Sequence, residues 1–255
     1  MTKVFVHGNP ETDDIWDPLV AELGARGVTD VVRLSPPGFG SPTPVGWGAT
    51  RDDYVAWLVD HVEATAARTG QPVDLVGHDW GAGHVFGLLA AHPHMVRSWS
   101  ADCVGLLHRD YVWHDAAQQW QTPDVGEEAI GAVVGLDEDT FAAVFSSLGM
   151  SDPVARAVSR RLDTETARCV LALYRDARQP AMVSLGERFI ASAPPHGLVI
   201  VAENDSFAGP HENHREIATA VGAEVREISG AGHWWMNEAP ERAADLLMAH
   251  WASID

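Results

Sequence analysis

The chain is 255 residues long, 46% apolar, and carries 36 acidic residues against 17 lysines and arginines, for a formal net charge of −19. That length suits one large α/β core with an inserted lid and excludes two full-sized enzyme domains. The charge would repel nucleic acid and anionic membrane surfaces, so neither is an expected partner.

Taken in chain order, Lys3 to Val6 is a short apolar strand running straight into His7-Gly8-Asn9-Pro10. Ile15 to Arg26 has helical spacing, with Trp16, Leu19, Val20 and Leu23 on one face and Gly27 as a stop. A strand at Val31 to Leu34 precedes a turn-rich segment, Ser35 to Pro42, and a helix from about Arg51 to Arg68 leads to a strand ending in Leu75-Val76. After a helix reaching roughly His92, Val96 to Ala101 reads as a further strand. Strands alternating with helices across short connections predict a mostly parallel sheet, covered on both faces. From Cys103 to Ala193 the strand signal gives way to helix-like spacing broken by Pro123, Gly126, Gly149, Pro153 and Pro180. The rhythm then resumes with a strand at Leu198 to Val201, a helix from His211 to Val221, a strand at Glu224 to Ile228 and a closing helix from Pro240 to Trp251. The expected organisation is a core formed by residues 1–102 and 194–255, with residues 103–193 as a helical cap.

The chemistry concentrates at Gly77-His78-Asp79-Trp80-Gly81, where an apolar strand meets an Ala/Leu-rich helix. Small residues two positions either side of a central residue form the nucleophile elbow, which pushes that side chain above the sheet. An isolated instance is as readily a turn whose Asp caps the next helix. As a nucleophile, though, Asp79 would displace a leaving group from saturated carbon and form an ester, which water can then hydrolyse. Ser229-Gly230-Ala231-Gly232-His233 follows the last strand and offers an imidazole on a flexible loop. Asp205, after the first strand beyond the insertion, can orient that imidazole, and Asp102 at the end of the preceding core strand is the alternative. Glu203 falls too early in the same loop. The order nucleophile, acid, histidine is that of the α/β-hydrolases.

Val76-Gly77-His78-Asp79-Trp80-Gly81, His7-Gly8-Asn9-Pro10-Glu11, Gly38-Phe39-Gly40-Ser41 and Gly230-Ala231-Gly232-His233 together resemble the epoxide hydrolase and haloalkane dehalogenase branch of the α/β-hydrolase superfamily. The resemblance implies an α/β-hydrolase fold of about six strands. Members usually carry two further strands ahead of the His-Gly-x-Pro strand, and lacking them would leave one sheet edge short. It also implies an oxyanion hole from the backbone N–H groups of Asn9 and Trp80, with His7 holding the loop.

The leaving group divides the branch. An epoxide leaves as an alkoxide that needs a proton, which lid tyrosines supply in such enzymes; Tyr174, in Leu171-Ala172-Leu173-Tyr174-Arg175, and Tyr111 are the candidates. A halide needs only N–H donors, which the Trp80 indole and the Asn9 amide could provide. The Tyr-Arg segment and Glu11 tip the reading toward an epoxide hydrolase, with a haloalkane dehalogenase as the alternative and a non-catalytic small-molecule-binding relative as the second. The arginines expected just after the nucleophile of a fluoroacetate-type dehalogenase are missing. The expected partners are a small apolar substrate and water, and no cofactor. No metal is expected either: His211 with His214 and His92 with His94 read as solvated helix-terminal residues. Two cysteines, Cys103 and Cys169, without metal spacing or a disulfide framework, and no visible leader or bilayer-length apolar run, point to the cytoplasm.

Overall fold

Six strands form one sheet in the order β2-β1-β3-β4-β5-β6, every neighbouring pair parallel. The computed structural model describes residues 1–254. The strands are β1 Lys3–Val6, β2 Val31–Leu34, β3 Val73–Gly77, β4 Val96–Ala101, β5 Gly197–Ala202 and β6 Glu224–Ile228. The inner strands β1, β3 and β5 are buried at every position, as strands covered on both faces must be, whereas the edges β2 and β6 expose Arg33 and Glu224. The pleat of β1 sends Val4 and Val6 into one apolar core and Phe5 into the other.

Three helices precede the fourth strand: α1 Asp17–Ala25, α2 Arg51–Thr69 and α3 Trp80–Ala91. The helical spacing from Ile15 splits into a 3-10 turn, Asp13–Trp16, and α1, because Pro18 in the first turn of α1 has no N–H to continue a ladder. A Thr50–Asp53 capping box starts α2, and Gly70 at φ 69° ends it. The helix α3 is apolar all round and buried along nearly its whole length, packed between α2 and a later helix, Ala181–Ser192.

Six helices lie between β4 and β5: α4 Asp115–Gln121, α5 Val125–Val134, α6 Glu138–Ser147, α7 Asp152–Ser159, α8 Thr164–Asp176 and α9 Ala181–Ser192. The last of them packs on α3, and Phe189 meets Phe86 and Trp99 at ring separations of 5.1 and 5.4 Å. After β5 come α10 His211–Val221, the short α11 Trp235–Glu238, which the sequence reading did not resolve, and α12 Pro240–Ala252. Among the described residues no helix is long and apolar enough to cross a membrane.

Candidate active site

Asp79 stands between β3 and α3 with φ 50° and ψ −121°, a backbone region that L-residues rarely occupy. Two glycines make room for it. A Cβ at Gly81 would fall 2.1 Å from the Val6 carbonyl oxygen, and one at Gly8 would fall 2.1 Å from Asp79 Oδ2. The strand end, the His-Gly loop and the helix start can therefore approach closely only with hydrogen at those positions.

The Asn9 backbone N–H donates to Asp79 Oδ2 at 3.0 Å. The second expected donor, the Trp80 backbone N–H, opens α3, and among the described residues it forms no hydrogen bond to the Asp79 side chain. His233 Nδ1 donates to Asp205 Oδ2 at 2.9 Å, so Asp205, not Asp102, partners the imidazole. Asp205 is itself fixed by the Phe207 N–H at 2.8 Å. Glu203 serves the same loop differently, accepting the Gly230 N–H at 2.6 Å.

Burial, the largest influence, raises the Asp79 carboxyl to about 6, with Glu11 adding to the rise and His233 opposing it. Burial disfavours charge on His233 too, but the Asp205 carboxylate overrides it and pushes the imidazole up to about 9. Asp205 is held well below the carboxylate range because His233 overcomes its burial.

Beneath the elbow lies a buried network that the sequence reading missed. His78 is fully buried and donates through Nδ1 to Asp102 Oδ2 and, at 3.1 Å, through Nε2 to Glu11 Oε1. Burial opposes charge on this ring, yet the two carboxylates raise it well above the ordinary histidine value. Asp102 also accepts the Asp79 backbone N–H at 2.9 Å and the Trp235 indole N–H at 2.6 Å. Glu11 accepts the Gly8 N–H at 3.1 Å and the Trp234 indole N–H at 2.6 Å, and is held near 2, burial being outweighed by His78. The only sequence signals were a histidine preceding Asp79, a carboxylate just after β4 and another in the loop after β1.

Above Asp79 is a cavity of about 180 Å³, lined by Asn9, Asp79 and His233 from the core and by His114, Trp120, Val133, Phe145 and Tyr174 from the helices between β4 and β5. Tyr174 is buried, and its hydroxyl feels the Asp79 charge directly. The Trp80 indole N–H and the Asn9 side-chain amide favour the ionised phenol, though the Asn9 amide stops short of a formed hydrogen bond and both its polar atoms are buried without a partner. Burial and Asp79 together keep the phenol protonated, well above its ordinary value.

Tyr111 is placed otherwise than expected. Its hydroxyl donates to the Phe207 carbonyl at 2.9 Å, and it is not among the cavity-lining residues. The bend that brings the Phe207 N–H to Asp205 leaves the Phe207 carbonyl needing a donor, and Tyr111 supplies it. A larger cleft of about 300 Å³ lies behind Trp80, lined in part by Arg51, His84 and Arg188, and contains neither Asp79 nor His233.

The ligand atoms of Glu11, His78 and His233 lie within 4.8 Å of one another. Both ring nitrogens of His78 are committed to carboxylates, so that group offers no complete donor set for a metal. His214 corrects the expectation of a solvated residue: it is buried, and its Nε2 donates to the Ala208 carbonyl at 2.9 Å. His7 is buried in its loop, with Nδ1 at 2.9 Å from the Gly8 carbonyl and Nε2 at 3.3 Å from the Ser35 hydroxyl.

A single parallel sheet with its polar residues gathered at the strand ends is the setting of an α/β-hydrolase, and the chain belongs to the alpha/beta hydrolase family, whose sequence profile matches residues 4–246. Solved structures agree on the fold. A laboratory-evolved variant of potato epoxide hydrolase superposes with a TM-score of 0.76 at 19% identity, over 99% of this chain and 92% of that one. A loop variant of a haloalkane dehalogenase from Bradyrhizobium elkanii gives 0.73 at 22% identity, over 99% and 89%. An E-2-(acetamidomethylene)succinate hydrolase gives 0.73 at 18% identity, over 98% and 91%. No curated protein sequence matches significantly.

Proposed function

We propose that this hydrolase opens a small epoxide to a diol through an ester on Asp79. In this reading one Asp79 oxygen attacks the less hindered ring carbon, the carbon–oxygen bond of the ring breaks, and the alkoxide takes the Tyr174 proton. His233 then removes a proton from water, the hydroxide adds to the Asp79 ester carbonyl, and the Asn9 N–H stabilises the resulting oxyanion. Collapse breaks the bond between the Asp79 carbonyl carbon and the diol oxygen, which takes the proton held by His233; the remaining proton of the added water passes to the Tyr174 phenolate, leaving an Asp79 carboxylate with one oxygen from water.

The observation that carries the reading is the buried Tyr174 phenol, which lines the same small cavity as Asp79 and Asn9. Its timing fits as well. The Asp79 charge is among the causes that raise the phenol, and that charge disappears as the ester forms, so Tyr174 becomes a better acid while the alkoxide develops. The roof is formed by Trp120 of α4, Val133 of α5, Phe145 of α6 and Tyr174 of α8, which supports residues 103–193 acting as the cap. At about 180 Å³ the cavity is smaller than drug-sized ligand sites, which favours a small substrate.

One observation favours the haloalkane dehalogenase as a second reading: the Asn9 amide, buried without a partner in the wall of the cavity, could hold a departing halide. Product release from paired panels of epoxides and haloalkanes separates the two. Diol formation should fall at least about 100-fold in Tyr174→Phe and vanish in Asp79→Ala. Halide release kept in Tyr174→Phe but lost in Asn9→Ala would establish the dehalogenase instead. Turnover in heavy-oxygen water should label Asp79; an unlabelled Asp79 after many turnovers would sink the covalent route.

A further inference from the structure

His114 is the N-cap of α4, and its Nδ1 accepts the Ala117 backbone N–H at 3.3 Å. A ring nitrogen that accepts carries no proton, so in the neutral imidazole the proton resides on Nε2. Burial keeps the ring neutral, lowering it to about 4, with His233 acting in the same direction. The ring orientation is fixed as well. It stands edge-on to Trp120, Tyr174 and Phe207, at ring separations of 6.0, 6.5 and 5.1 Å. Phe207 in turn packs 5.0 Å from His233. His114 thus lines the same small cavity as Asp79 and Tyr174. Nδ1 is occupied by the cap; among the described residues no hydrogen bond from Nε2–H is formed, and on this half-buried ring Nε2–H is not one of the polar atoms shut away from solvent without a partner, so water meets it until a substrate takes that place.

We propose that His114 is a specificity-determining residue whose Nε2–H donates to an oxygen acceptor carried by the substrate. The preferred substrates are then small epoxides bearing an ether, ester or carbonyl oxygen near the ring, rather than plain hydrocarbon epoxides. The inference rests on the epoxide reading above and adds the chemical class. The cavity walls near His114 are aromatic and apolar, so a hydrocarbon substrate that displaces water from Nε2–H gives it no acceptor in exchange, while an oxygen at the right position does. The small volume keeps that oxygen close to the reacting carbon.

Two substitutions separate the donor from the cap. In His114→Asn the side-chain oxygen can still accept the Ala117 N–H, but no atom reaches the position of Nε2. In His114→Gln the amide nitrogen can occupy the Nε2 position while the cap is lost. The probes are glycidyl methyl ether and its all-carbon isostere. The wild type should prefer the ether by about tenfold or more in kcat/KM. His114→Asn should lower kcat/KM on the ether about tenfold more than on the all-carbon epoxide and so bring that preference close to unity; His114→Gln should keep the preference at a lower Tm. An undiminished preference in His114→Asn overturns the proposal. Equal losses on both epoxides also overturn it, in favour of a role toward the departing alkoxide. Failure of the wild type to open any epoxide rejects the epoxide reading instead. Calorimetric binding of the two product diols to wild type and His114→Asn then still decides the point: about tenfold weaker binding of the ether diol alone supports the donor, and unchanged binding of both refutes it.

Discussion

Asp102, at the end of β4, accepts the backbone N–H of Asp79 at 2.9 Å and so anchors the strained elbow from the neighbouring strand. The same carboxylate receives His78 and the Trp235 indole. Asp102→Ala would leave a buried imidazole facing only Glu11, an indole N–H without an acceptor and a backbone N–H unpaired. Removing one partner of a buried ion pair costs about 3–5 kcal/mol. Urea unfolding at neutral pH should show a loss of that size, and a loss below about 1 kcal/mol would contradict the role of the network.

The pH dependence follows from Asp79. Its carboxyl is raised to about 6, and in the proposed route only the carboxylate attacks carbon. Ester formation in single turnovers should therefore be constant well above pH 6 and fall about tenfold per unit below it. A plateau extending down to pH 4 would show that burial does not raise this group.

His233 behaves differently before and after alkylation. It is held up to about 9 partly by the Asp79 charge, which the ester of the proposed route would remove, so in that route the imidazole loses part of its proton affinity as it is needed as a base. In His233→Gln ester formation should continue while hydrolysis slows by about 100-fold to 10,000-fold. Intact mass after mixing with substrate should show the adduct on Asp79; its absence, with diol still produced at the wild-type rate, would remove His233 from the mechanism.

Gly8 offers a steric test. Its added Cβ in Gly8→Ala would lie 2.1 Å from Asp79 Oδ2, so the nucleophile must shift. Displacement by about 1 Å can cost about 100-fold in rate. A variant that stays folded by circular dichroism but forms ester at the wild-type rate would mean that Asp79 is free to move.

Much of the core is legible in the sequence, because apolar strands with sharp ends leave little ambiguity. Lys3 to Val6, Val31 to Leu34, Val96 to Ala101 and Glu224 to Ile228 form the strands that their patterns indicate. The positions near Asp79 were readable because chain order and glycine spacing are local signals. Long-range pairings were not. Nothing in the sequence directs Asp102 to His78 rather than His233, since that depends on which side of β3 each strand end faces. Tyr111 shows the same limit: its position in the chain suggested a proton donor, but the carbonyl that uses its hydroxyl lies 96 residues away. The role of His114 is invisible without the helix start that fixes its tautomer.

Glu11 joins two loops that are remote in the chain, taking the Gly8 N–H on one side and, 223 residues away, the Trp234 indole on the other. The segment supplying the Asn9 N–H and the segment carrying His233 are thus pinned to a single carboxylate. Neither can drift without dragging its counterpart, so the floor of the cavity acts as one rigid plate. Diversification of substrate within this architecture must come from the roof, where exchanging a side chain such as Val133 or Phe145 reshapes the chamber and leaves the reacting atoms in register.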